Sequence, residues 1–198
     1  MVKGFTRFLW IAVPLMVVGC ATKVTRVQSD STIDLSGRWN DADSRMVADA
    51  MIKDCLSQGW LNKWDTKNKQ PTVVVGKITN KSHEHLSTET FAEDVERALL
   101  NSGRVGFVAG KAERDQVRDE KDDQQSNSSA QTASSLHEET GADLMMIGDV
   151  NSIVDQEGNK AVIYYQVSMK LVEVESNRTV WIGEKKIKKY VERSEAKF

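Results

Sequence analysis

Between Asp143 and Tyr190 three alternating runs follow one another, separated only by short turn sequences. Alternation with period two marks half-buried strands, and consecutive strands joined by short turns must pair antiparallel. Residues 143–154 place Leu144, Met146, Gly148 and Val150 on one side and Met145 and Ile147 on the other. Gln156-Glu157-Gly158-Asn159 reads as a hairpin turn. Ala161, Ile163, Tyr165, Val167, Met169 and Leu171 then alternate with Tyr164, Gln166, Ser168 and Lys170. After Leu171 the apolar phase flips to Val172 and Val174, which predicts a bulge or a change of cover at that point. Glu175-Ser176-Asn177-Arg178 is a second turn. The last run, 179–190, begins apolar (Val180, Trp181, Ile182) and ends in Lys185, Lys186, Lys188 and Lys189, lysines that protect a strand edge from unwanted pairing.

Upstream, helical and strand patterns interleave. Asn40 or Asp41 can cap a helix on which Val47, Ala50, Met51 and Cys55 recur at helical spacing, with Gly59 as its stop. Trp60, Leu61 and Trp64 are expected to lap over the core edge. The β-branched run 72–78 after Pro71 predicts a buried strand. Ser87 is a plausible N-cap for a helix presenting Phe91, Val95, Ala98 and Leu99, stopped by Asn101-Ser102-Gly103. Residues 104–109 predict a second strand. Nine of the eleven residues from Glu113 to Asp123 are charged, which suits a solvated helix held by ion pairs along its surface. Residues 124–135 read as a mobile loop feeding a short helix over 133–140. The predicted order α-β-α-β-α-α-β-β-β, with strands gathered at the end, makes a single α+β domain with an antiparallel or mixed β-sheet flanked by helices.

The N-terminus reads as an address. Lys3 and Arg7 precede an apolar run from Phe8 to Val18, too short for a membrane span and proportioned like a signal peptide. The run ends Val17-Val18-Gly19-Cys20, which resembles a bacterial lipobox, with Cys20 as the acylated residue. Residues 1–19 are then the signal, and 20–32 are the lipidated N-terminus with a short polar tether. That tether spans about 45 Å when fully stretched. Residues 33–198 make the domain. Ala21, not aspartate, follows Cys20, which favours the outer membrane of a Gram-negative cell, on its periplasmic face. Acyl chains at ~0.8 kcal/mol per buried CH₂ give a stable anchor. The whole chain carries a formal charge of −2, and loss of Lys3 and Arg7 makes it more acidic, so lipid rather than charge is expected to hold it at the membrane. The same balance argues against a nucleic-acid binder.

Candidate chemistry is sparse. With Cys20 acylated, Cys55 has no disulfide partner and is expected in the core. His83-Glu84-His85 is the one cluster of metal-ligand residue types; it lacks a third ligand at useful spacing, and a polar turn is the simpler reading. Neither a nucleophile elbow nor a phosphate loop is present. No cofactor, metal or catalytic residue is expected, and the chain reads as a binding module rather than an enzyme.

Several segments together resemble the LpoB family: Asp34-Leu35-Ser36-Gly37-Arg38-Trp39-Asn40-Asp41-Ala42-Asp43-Ser44-Arg45, the stretch from Pro71 to Ser82-His83-Glu84-His85, Asn101-Ser102-Gly103, Gly141-Ala142-Asp143, and Val180-Trp181 through Lys188-Lys189. The resemblance covers about residues 33–191. It implies a fold similar to the N-terminal domain of TolB, and a non-catalytic outer-membrane lipoprotein that binds the docking domain of a bifunctional class A penicillin-binding protein and stimulates peptidoglycan synthesis. The alternative is a lipoprotein of this fold serving another envelope assembly, such as secretion or transport. Enterobacterial members carry a long proline-rich tether, whereas this chain has two prolines in all. A monomer is expected, with Tyr164, Lys186 and Lys188 on the last strands as the candidate partner-binding residues.

Overall fold

A computed structural model describes residues 22–193. The expected signal peptide and the expected lipid-bearing Cys20 lie outside the described residues. The chain divides between Ser31 and Thr32. Residues 22–31 contain no helix or strand; Ser31 folds back on the Gln28 carbonyl through its amide and hydroxyl (3.2 and 2.7 Å).

From Thr32 onward the elements are α1 (Asp41–Ser57), a 3₁₀ turn at Gly59–Leu61, α2 (Asn62–Asp65), β1 (Thr72–Lys81), α3 (Thr88–Asn101), β2 (Gly106–Phe107), α4 (Lys111–Asn127), β3 (Leu144–Glu157), β4 (Lys160–Glu173) and β5 (Thr179–Glu192). The strands form one sheet in the order β2-β1-β3-β4-β5. The β1 strand pairs parallel with both β2 and β3, while β3, β4 and β5 form an antiparallel meander, so the sheet is mixed. The α+β expectation stands.

The hairpin turns behave as the sequence predicts. Glu157 pairs with Lys160 around Gly158-Asn159, and the β4–β5 register shifts between Leu171 and Val172, where the apolar phase flips. This bulge keeps Leu171 opposite Trp181 on the core face. Ser87 caps α3 by accepting from the Thr90 amide (3.3 Å).

Two expectations are corrected. The predicted strand over 104–109 shortens to Gly106–Phe107. The predicted helix over 133–140 does not form; instead α4 runs on to Asn127, and 128–143 contains no helix or strand. The charged run supplies the reason: Asn127 and Gln124 extend its chain of i,i+4 side-chain bonds, to Asp123 and Glu120 respectively (2.8 and 2.9 Å). The 133–140 segment has few apolar positions to pack, and a helix that short is not stable by itself. As expected, α4 is solvated, with no buried residue.

One face of the sheet is the core face. Val47, Met51, Ile52 and Cys55 from α1 meet Phe91, Val95 and Leu99 from α3. Both sets pack on Val73, Val75 and Ile78 of β1, Leu144, Met146 and Val150 of β3, Val167, Met169 and Leu171 of β4, and Trp181 of β5. Ala50, expected on this face, is only half-buried, and Ala48 and Ile52 take the core side. A bulge between Val75 and Ile78 brings Ile78 back to the core side of β1. Leu61 and Trp64 close the edge of the core as expected, and the Trp60 Nε1 donates to the Cys55 carbonyl (2.8 Å). The Trp181 indole lies across Gly183 on its own strand and donates to Asp54 Oδ2 of α1 (2.9 Å).

A methyl group on Gly183 would overlap that indole. Gly183→Ala is therefore expected to destabilise the domain by about 1–3 kcal/mol, read as a lower urea midpoint at unchanged slope.

Candidate functional site

The two motif segments singled out in the sequence, around Trp39 and around Glu84, meet at one end of the core. Asn40 caps α1 in a reciprocal box: its Oδ1 accepts from the Asp43 amide (3.0 Å), and Asp43 Oδ2 accepts from the Asn40 amide (2.9 Å). Lys189 of β5 reaches this cap. Its ammonium donates to Asp43 Oδ2 and Asp34 Oδ1, both at 2.6 Å, and to the Arg38 carbonyl (3.1 Å). Asn40 Nδ2 also donates to Asp34 Oδ1 (2.6 Å). The Lys189 and Asp43 side chains are 11% and 6% exposed, so this pair is nearly buried, while Asp34 at the rim is about half-exposed. Burial by itself pulls the ammonium's pKa down; the hydrogen bonds to Asp34 and Asp43 outweigh it and hold the pKa above the usual lysine value.

Trp39 is inserted beside this clamp. Its indole packs edge-on against Phe91 (6.0 Å) and Tyr165 (5.5 Å) and donates to Ser44 Oγ (2.8 Å). The Glu84 carboxylate joins the layers: Oε2 accepts from the Trp39 amide (3.2 Å) and Oε1 from the Tyr165 hydroxyl (2.6 Å). Asn80 and Ser82 fix the loop, donating to the Glu84 carbonyl at 2.7 and 3.1 Å. The His83 amide donates to Ser152 Oγ (2.9 Å). His83-Glu84-His85 is thus a polar turn whose central residue ties three segments together. Among the described residues no three His, Cys, Asp or Glu side chains gather as a metal site.

The opposite face of the sheet is open. Tyr164 stands directly across from Lys188, and Gln166 across from Lys186, so the three candidate partner residues share one surface. The Tyr164 hydroxyl donates to Gln166 Oε1 (3.3 Å), and Lys186 pairs with Glu184 (2.5 Å). Among the described residues Lys188 makes no ion pair within 4 Å. Ile153, across from Tyr164, is 64% exposed. Four exposed positions of β5 on this face, Glu184, Lys186, Lys188 and Tyr190, give it a mixed, largely basic stripe with apolar neighbours. Such a surface can bind another protein.

Lys189 departs from the expectation of an edge-guarding lysine, because its side chain points into the clamp. The sequence carried a signal for this: Lys189 falls on the same phase as Trp181, Ile187 and Val191, and a lysine on a buried phase needs an anionic partner. The Tyr165–Glu84 bond had no comparable signal.

Three groups on the core side resist losing their protons. Burial pushes the Cys55 thiol from near 9 up to about 12. Burial and the Glu84 carboxylate raise the Tyr165 hydroxyl, and the clamp raises Lys189. Each folded-state pKa exceeds its unfolded value, so the unfolded chain releases protons first. The stability these three groups contribute is then complete below about pH 9 and falls as pH rises from there. The melting temperature should drop steeply above that pH, and Tyr165→Phe should make the decline shallower while costing about 1 kcal/mol at neutral pH. Lys189→Met leaves Asp43 buried without its cation and should cost about 3–5 kcal/mol at neutral pH, measured by urea unfolding.

Among solved structures, the LpoB C-terminal domain from Salmonella enterica aligns at 16% identity over 73% of this chain and 98% of its own, with a TM-score of 0.44. The LpoB solution structure from Escherichia coli aligns at 14% identity over 92% of this chain and 88% of its own, with a TM-score of 0.42. Lipoprotein GNA1162 from Neisseria meningitidis aligns at 16% identity over 64% of this chain and 88% of its own, with a TM-score of 0.39. No curated protein matches the sequence. The family of the peptidoglycan-synthase activator LpoB matches residues 43–187, from the capping aspartate of α1 to the middle of the clamp-bearing strand, and the chain belongs to that family.

Proposed function

We propose that this chain is a non-catalytic lipoprotein that binds a class A penicillin-binding protein and activates it in peptidoglycan synthesis. The family match over residues 43–187 carries this reading, because the family is that of a peptidoglycan-synthase activator. In this reading Cys20 bears the lipid and holds the chain to the inner leaflet of the outer membrane. The domain, residues 33–198, acts as a monomer on the periplasmic side. The open sheet face contributes Tyr164, Lys186 and Lys188 to the contact. The described residues contain no helix long and apolar enough to cross a membrane, so membrane attachment in this reading rests on the acyl chains. An activator of this kind works by binding the active conformation of the synthase more tightly than the resting one.

The test follows glycan polymerisation from lipid-linked precursor by the organism's class A penicillin-binding proteins with the full chain added. A saturable rise in rate with one of them is the expected result; no rise and no binding with any of them overturns the proposal in favour of another envelope assembly. Lys186→Glu combined with Lys188→Glu should weaken binding by about tenfold or more, with an unchanged melting temperature. Cys20→Ser should abolish lipid labelling and release the chain from the membrane.

A further inference from the structure

We propose that the end of the domain where the tether joins it is a membrane-contact site, inserting Leu35, Ile33 and Tyr190 into the headgroup region of the bilayer that holds the anchor. The proposal rests on the reading of Cys20 as acylated.

Leu35 is 93% exposed, yet it does not sit on a free tail. On one side Asp34 is held by Lys189 and Asn40. On the other, Gly37 adopts φ +73° and lies against Val191 so closely that any side chain would overlap it. The Arg38 carbonyl is held by Lys189 as well. The strap therefore presents a leucine outward from a fixed backbone. Ile33 beside it is also exposed, and Tyr190 projects from β5 at 61% exposure. Residues 34–37 and 189–192 line one shallow groove, which puts Leu35 and Tyr190 on the same end of the molecule.

The surrounding charges largely cancel. Lys189 is shared by Asp34 and Asp43, which leaves one negative charge beside the exposed Arg38 of the strap, and Glu192 faces Lys160 at 3.7 Å. An apolar cluster with an aromatic hydroxyl and a nearly neutral rim suits the interfacial zone of a bilayer, where tyrosine and leucine partition together. The sequence supplies the reason for choosing this occupant. Only about a dozen residues separate Cys20 from Thr32, and a flexible chain of that length has an r.m.s. span of about 20 Å. A group at the root of such a tether meets the bilayer at high effective concentration, so a weak interfacial affinity suffices. Of the open sheet face this contact takes up Tyr190 alone, at the strap end of β5, and leaves the rest of that face for the synthase.

The experiment uses the acylated full chain reconstituted in vesicles of phosphatidylethanolamine with a minor share of phosphatidylglycerol. Leu35→Cys and, separately, Glu175→Cys carry a nitroxide label; Glu175 lies in the β4–β5 turn at the opposite end of β5. Neither native cysteine competes for the label in this preparation, since Cys20 is acylated and the Cys55 thiol is buried with its pKa pushed up to about 12. The label at Leu35 should collide several-fold more often with lipid-soluble oxygen, relative to a water-soluble nickel chelate, than the label at Glu175. Equal ratios in a chain that stays on the vesicles overturn the membrane contact and leave the anchor intact. A chain that washes off the vesicles overturns the anchor, and the contact with it. A Leu35 label that loses contact with water only when the synthase is added assigns the site to the synthase and overturns the proposal.

Discussion

The ammonium of Lys189 is the group on which one end of this domain depends. It stands nearly dry between Asp34 and Asp43, and it reaches the Arg38 carbonyl as well. Through these bonds the last strand holds the first helix by its cap and holds the strap before that helix in place. Desolvating the Lys189 and Asp43 charges costs several kcal/mol per ion, and such a pair is tolerated only when each charge is paired and its remaining bonds are satisfied. Here they are: the capping box occupies the Asp43 carboxylate, Asn40 adds a donor to Asp34, and no buried side-chain polar atom among the described residues lacks a partner. With the strap fixed, Trp39 fills the space between Phe91 and Tyr165, and Glu84 closes the layer from the other side.

The sheet divides the work between its faces. Helices α1 and α3 cover one face and make the core. The other face keeps half-exposed polar side chains in its middle and apolar ones such as Ile153 and Ile182 toward its ends. An antiparallel meander allows this division, since its strands need cover on one side only. A binding module benefits from the arrangement. The clamp and the core stiffen the scaffold, while the open face and the strap end can engage partners without disturbing what holds the fold together. Tyr164 and Tyr165 show the division at its sharpest. They are adjacent in sequence, but one is buried against Glu84 and the other stands across from Lys188 on the open surface.

Much of this was legible before any coordinates. The alternation in β3 and β4 sorted their residues into two faces, and the phase flip after Leu171 located the bulge. Asn40 or Asp41, and Ser87, marked the helix starts, and the structure gives Asn40 as the first cap. Tyr164, Lys186 and Lys188 were named as candidates for a partner surface on the last strands. Their adjacency depended on pairing Tyr164 with Lys188, a register set by the β4–β5 turn together with a bulge whose exact residue the pattern left open. The 133–140 segment misled because short polar stretches carry too little periodicity to separate a helix from a loop. Lys189 misled because a row of four lysines looks uniformly solvated, although Lys185 and Lys189 both fall on the phase of Trp181 and only the second meets the α1 cap.

The sequence by itself determined the local states: which residues form strands and helices, which side of each faces the core, where the caps and turns fall, and the family to which the chain belongs. Those properties are written in spacing and chain-local hydrogen bonding. The tertiary structure alone decided the placement of β1 between β2 and β3, the burial of Lys189 between two aspartates from the other end of the domain, and the bond from Tyr165 to Glu84. The strand pairings join residues 34 to 71 positions apart, and the Lys189 and Tyr165 contacts join residues 81 to 155 apart. A local pattern can mark a residue such as Lys189 as inward-facing but cannot name its partner, because the stability of these contacts comes from desolvation and packing that exist only once the layers have closed.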